Sequence, residues 1–204
     1  MNTAPRTRLA ILGTLSDLHR EPLAYDLACL RSLVTDLAPD LLCAEITRDA
    51  WERHDLLAAS MEVREALAPV EAATDLVIVP VASSLKAYTG YLPVASWRRT
   101  LVRLFDRLLR WGGRKAGRPA VVNGVPFGAF CHTVCWLAER FWTADQRAAW
   151  EAQNRAMVEN IVQAVQRDPG RRVLVAVQCQ RVHRLRPWLH AYDELLEIVD
   201  YGEL

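Results

Sequence analysis

Val173-Leu174-Val175-Ala176-Val177-Gln178-Cys179-Gln180-Arg181 decides the fold class. Its first five residues are apolar without alternation, which suits a strand covered on both faces, as strands inside a parallel sheet are. Before it, Thr143-Ala144-Asp145-Gln146 has capping-box spacing and opens a long helix to Arg167, which Asp168-Pro169-Gly170 stops. After it, a polar turn leads into Leu185-Arg186-Pro187-Trp188-Leu189.

Three further runs share this continuous apolar character, at 9–15, 40–46 and 75–82, and residues 195–201 alternate as an edge strand would. Residues 22–37 carry Leu23, Leu27, Leu30, Leu33, Val34 and Leu37 at the spacing of an amphipathic crossover helix. Residues 50–68 read as a helix ended by Pro69. From Ser96 to Trp111 the pattern is again helical, with Trp97, Leu101, Leu104, Phe105, Leu108 and Trp111 as the core side and Arg99, Arg103, Arg107 and Arg110 away from it. Gly112-Gly113 is expected to end that helix, and Gly117-Arg118-Pro119 to complete a basic loop. Another apolar helix spans 127–141. Strands and helices in alternation predict α/β architecture, a mostly parallel sheet covered by helices on both faces, in a single domain over 1–204.

The 204 residues are enough for one core, and a formal net charge of +1 gives no global reason to expect nucleic acid. Cys29, Cys43, Cys131, Cys135 and Cys179 leave at least one thiol unpaired, and reduced, buried thiols are the simplest account. No apolar run approaches the roughly 18 residues needed to span a bilayer, and no leader-like core follows Met1, so the expected location is cytoplasmic. The basic stretch from Arg98 to Arg118 reads as a solvated face.

The order of motifs resembles the superfamily that contains TraB, the TIKI proteases, the haem-binding ChaN proteins and the erythromycin esterases. There the first and last strands end in Gly-x-x-His; in this chain Gly13 matches the first glycine, Ser16 replaces its histidine, and Gln178 and Arg181 fall on the last glycine and histidine. Glu45 stands where the second strand of the family ends in an acidic residue, and Arg155 where an arginine lies on the helix before the last motif. The resemblance implies hydrolysis of an ester or peptide bond, often metal-assisted, or haem or iron binding. With both histidines replaced, no resident metal is expected.

Ligands of open parallel sheets lie beyond the carboxyl ends of the strands, where Gly13 to His19, Glu45, Ser83 to Lys86 and Gln178 to His183 fall. Arg181 cannot ligate a metal, because a guanidinium offers no lone pair, but with Arg155 it can hold a carboxylate or phosphate, or else pair internally with Glu45. The leading expectation is a small anionic ligand bound by Ser16, Asp17, Glu45, Arg155, Gln178 and Arg181, with Glu45 and Arg155 as catalytic groups if there is turnover. One alternative is a hydrolase whose divalent metal has moved to His19, Glu45 and His183. Another is a structural or protein-interaction module. Cys131-His132-x-x-Cys135 has no second cysteine pair and reads as helix packing. Ser16-Asp17-x-His19 places triad residue types too close together for triad geometry. Gly124-x-x-x-Gly128 lacks the lysine and hydroxyl of a phosphate loop.

Overall fold

The apolar runs become five strands: β1 (Thr7–Thr14), β2 (Leu41–Thr47), β3 (Val77–Ala82), β4 (Arg172–Gln178) and β5 (Leu196–Val199). They form one sheet in the order β3-β2-β4-β1-β5, and every pairing is parallel. The computed structural model describes residues 6–57, 59–83 and 96–204. In the β1–β4 register Leu9 lies opposite Val173 and Thr14 opposite Gln178, so both strands end level. β4, between β1 and β2, buries the whole of Val173 to Val177, as its unbroken apolar run predicts, whereas β5 at the edge buries only Leu196 and Val199.

Side chains that alternate across the sheet feed two cores. On one face Ala10, Leu12, Leu42, Ala44, Leu174 and Ala176 pack under α1 (Leu27–Leu37), a helical segment over 61–71, α4 (Ser96–Ala116) and α6 (Val125–Glu139). On the other, Leu9, Ile11, Cys43, Val173, Val175 and Val177 pack under α7 (Ala144–Arg167) and α8 (Cys179–His190). In chain order these helices follow α2 (Arg48–Glu52) and α3 (Ala68–Glu71, the end of the 61–71 segment); they are α4 (Ser96–Ala116), α5 (Pro119–Val122), α6 (Val125–Glu139), α7 (Ala144–Arg167) and α8 (Cys179–His190). Among the described residues no helix is long and apolar enough to cross a membrane.

The capping box of α7 is present in both halves: Gln146 N donates to Thr143 Oγ1 at 3.2 Å and Thr143 N to Gln146 Oε1 at 3.0 Å. Several expected boundaries move, each for a local reason. α1 begins at Leu27 rather than Pro22, because the Asp26 carboxylate accepts from the Cys29 amide and fixes the first turn there. Pro69 does not end its helix: a π turn at Val63–Leu67 comes just before it, and the wider turn accommodates a residue that has no amide to donate.

Gly112-Gly113 does not end α4. Both glycines are buried at helix contacts, and an added Cβ would lie 2.3 Å from the Phe130 ring at Gly112 and 2.9 Å from Leu18 Cδ1 at Gly113. The helix stops at Gly117, whose φ of 54° only glycine adopts freely. Its side toward the core is also not the expected one. Val102 and Leu109 are buried, while Trp97, Leu104, Leu108 and Trp111 are 58%, 55%, 39% and 54% exposed. Finally, no polar turn follows β4: Gln178 is itself the N-cap of α8, and Pro187 lies inside that helix.

Candidate functional site

Glu45 and Arg181 meet, as the pairing of their types suggested. Glu45 ends the regular part of β2, at a register irregularity between Ala44 and Thr47, and Arg181 lies in the first turn of α8, past the end of β4. Arg181 Nε donates to Glu45 Oε1 at 2.7 Å, and the Gln178 amide donates to Glu45 Oε2 at 3.0 Å. Arg181 Nη1 donates to Asn154 Oδ1 at 2.9 Å, and the guanidinium carbon stands 4.1 Å from the Trp150 ring centroid. Arg181 is fully buried and the Glu45 side chain is 10% exposed. This is an internal, charge-balanced pair with both carboxylate oxygens engaged, so it offers neither a free base nor an open anion seat.

Arg155 does not join it. That side chain is 64% exposed on α7, pairs with Glu151 at 3.0 Å and lies 5.4 Å from the Trp188 ring centroid. The inward position belongs to its neighbour Asn154, which with Trp150 occupies the buried stripe of the helix. One residue is about 100° of helix rotation, enough to carry Arg155 from the core to water. The expected pocket with two fixed positive charges is therefore not formed by Arg155 and Arg181.

At the end of β1, Ser16 is half-buried with φ of 53°, and Asp17 is exposed and bonded to Arg110 by both oxygens, at 2.8 and 2.7 Å. His19 sits in a 3₁₀ turn (Ser16–Arg20) and is 2% exposed. Its Nε2 accepts from the Leu15 amide at 2.9 Å and its Nδ1 lies 2.7 Å from the Tyr25 carbonyl, so the ring is neutral with its proton on Nδ1. Burial lowers its pKa, opposed by the nearby Glu62 carboxylate. With both nitrogens committed, His19 has no lone pair for a metal. Among the described residues no three His, Cys, Asp or Glu side chains are grouped as metal ligands, so His19, Glu45 and His183 do not assemble into a site. Ser83 is exposed, and 84–86 lie outside the described residues.

The open space lies elsewhere on the same edge. The connection from β1 leads toward β2 and that from β4 toward β5, in opposite directions along the sheet, so a crevice opens between two adjacent carboxyl ends. A cavity of about 380 Å³ is found there, lined by the start of α6 with its preceding turn (Asn123, Phe127, Gly128, Cys131, His132), by Cys179, Val182, His183 and Arg186 of α8, and by Asp200. Asn123 anchors this wall to β1: its Oδ1 accepts from the Gly13 amide at 2.6 Å, and its Nδ2 donates to the Pro119 carbonyl at 3.0 Å. Gly13 suits this approach, since a Cβ would stand 3.2 Å from both Asn123 Oδ1 and Val182 Cγ2 and would press on both.

Chemically the crevice is largely apolar with a few polar points. His183 stacks edge-on to His132 with ring centroids 4.7 Å apart, and neither of its nitrogens has a hydrogen-bond partner or an opening to solvent. Burial, with the neighbouring His132 ring and Arg184 guanidinium acting in the same direction, pushes its pKa down from 6.5 to about 3, so it is neutral at pH 7. His132 is exposed at the rim, so a haem or metal placed here would meet His132 before His183. Arg186 makes no ion pair among the described residues. Cys131 and Cys179 bring their sulfurs to 4.0 Å without a disulfide, and hydrogen bonding between neighbouring thiols (Cys135 for Cys131, Cys131 for Cys179), followed by burial, raises both thiol pKa values. Cys131 and Cys135 are buried, as helix packing predicts.

Sequence reasoning passed over Asn123, Asn154 and Glu62. Asn154 had a signal, since it falls on the stripe of Trp150, Met157, Val158 and Ile161. Glu62, 2% exposed, receives the Thr14 hydroxyl at 2.8 Å, a contact across 48 positions that no local pattern announces. No family model matches the chain, and neither a curated protein nor a solved structure does.

Proposed function

We propose that the chain binds a small, mainly apolar molecule carrying one anionic group, without turnover, in the crevice between the carboxyl ends of β1 and β4. The frame on which this rests is the one that resembles the TraB, ChaN and erythromycin esterase superfamily, and the setting is a reducing cytoplasm that keeps the five thiols free. The observation that carries the reading is the crevice itself: an apolar cavity at the strand-order reversal, where ligands of parallel sheets collect, with Arg186 on its lining and no ion pair to neutralise it among the described residues. Asp200 on the same lining disfavours a polyanion, so a single carboxylate or phosphate on an apolar body is the better fit. Binding without chemistry is supported by the engaged state of Glu45, Arg181 and His19, none of which is open to act as a base, and by the raised pKa of the Cys131 and Cys179 thiols, which keeps them protonated.

The test is calorimetric titration of aryl and alkyl carboxylates and monophosphates into wild type and Arg186→Ala. The expected outcome is saturable binding of an aryl or alkyl acid, weakened by roughly tenfold in the variant, as for a half-exposed ion contact. Binding that is equal in both proteins, or absent across the panel, contradicts the reading.

A further inference from the structure

Helix α4 presents an apolar stripe to solvent. Trp97, Leu101, Leu104, Leu108 and Trp111 recur at alternating spacings of four and three, so they lie along one side of the helix. That side is turned from the core, which takes Val102, Leu109 and the two glycines instead. Neither looseness nor poor packing explains the exposure. Arg114 makes a two-point contact with Glu21 at 2.6 and 2.7 Å, Arg110 holds Asp17, Phe105 stacks on Phe141 at 5.9 Å, and Gly112 admits the Phe130 ring. The helix is thus pinned with its tryptophans outward.

Positive charge flanks the stripe. Arg103 and Arg107 are exposed and make no ion pair among the described residues, Arg98 stands 5.2 Å from the Trp97 ring, and Lys115 is exposed, while Asp106 is the only carboxylate of the helix. We propose that this face of α4 docks the protein, parallel to the surface, on an anionic lipid membrane.

The choice of occupant follows from charge and from side-chain type. A helix of low mean hydropathy with a Trp and Leu side and an arginine side fits the boundary between headgroups and acyl chains: the apolar side enters, and the guanidiniums meet lipid phosphates. Indole rings at both ends of the stripe suit that boundary, because each has an apolar body and a polar N–H. A second copy of the chain seated antiparallel on the same stripe would bring Arg103 and Arg107 of the two helices to the same side, a like-charge contact that Asp17 and Glu21, already held by Arg110 and Arg114, do not offset. A nucleic acid would satisfy the arginines and leave the leucines in water.

Cosedimentation of the full chain with phosphatidylcholine vesicles, with and without phosphatidylserine, tests this. Binding is expected only with phosphatidylserine and should fall as salt rises. Leu104→Glu with Leu108→Glu should reduce the bound fraction more than about tenfold. Arg103→Gln with Arg107→Gln, which alters only exposed side chains, should reduce it by roughly fivefold per charge. Circular dichroism checks that both variants fold. Failure to bind anionic vesicles overturns the proposal, as does binding that either pair of changes leaves intact. It is overturned equally by a concentration-dependent dimer that Leu104→Glu abolishes, by retention on duplex DNA that Leu104→Glu does not affect, or by slow thiol labelling of Leu104→Cys without vesicles, which would mean that the stripe is already covered.

Discussion

Arg181 and Arg155 show how much rests on the phase of a helix. Both are arginines where the sequence suggested a shared site, yet one is fully buried and the other 64% exposed. Removing Arg181 strands Glu45 and Asn154 without their partner, so Arg181→Ala should cost about 3 to 5 kcal/mol of stability, whereas Arg155→Ala should stay within about 0.5. Urea unfolding of the two variants checks this, and similar losses would mean that the buried pair is not where the energy lies. His183 supplies a pH signature. Its folded pKa, about 3, lies below the 6.5 of the unfolded chain, so the unfolded state takes up the extra proton as pH falls. Its contribution is complete above pH 6.5 and is lost below, by up to about 1.4 kcal/mol per pH unit. His183→Leu should flatten the stability profile between pH 6.5 and 4; an unchanged slope in that window would show that His183 is already charged when folded. The Glu45–Arg181 pair was legible because opposite charges after two buried runs have few other partners. Asn154 was not, because a polar residue on an apolar stripe was passed over for the arginine beside it.

At the scale of elements, α4 gives the clearest contrast between what periodicity reports and what it leaves open. The pattern revealed an amphipathic helix but not which of its apolar residues face the core, since a stripe bound for another surface has the same spacing as one bound for the interior. The glycines were the better guide, read for their size and not as a helix stop. Gly112→Ala should cost about 1 to 3 kcal/mol, because the Phe130 ring is already 2.3 Å from the new Cβ. Gly128→Ala, in the interior of α6 with nothing within 4 Å of the added atom, should instead stabilise by about 0.5 to 1 kcal/mol. Thermal unfolding of both resolves the sign; a stabilised Gly112→Ala would mean that α4 and α6 are not in close contact there. Pro69 teaches the same caution, since a π turn beside it let the helix continue through a residue that usually ends one.

For the whole molecule, the sheet was the most legible feature. Every predicted run became a strand, because unbroken apolar stretches between helical segments have little alternative to a covered parallel sheet. Strand order was not legible, and the site depends on it: only when β4 inserts between β1 and β2 do Gly13 and Cys179 become neighbours and the turn at Asn123 close over them. The crevice therefore draws on residues that form no motif. Its occupancy is the central claim, and a nitrogen–proton correlation titration of the isotope-labelled chain with its tightest-binding small acid tests it most directly, in wild type and in Gly128→Leu, whose side chain has room to fill the crevice without entering the core. The predicted result is shifts confined to residues 122–132 and 179–186 in wild type and none in Gly128→Leu. Shifts centred on Arg155 or on the amino ends of the strands, or equal affinity in the two proteins, would contradict it.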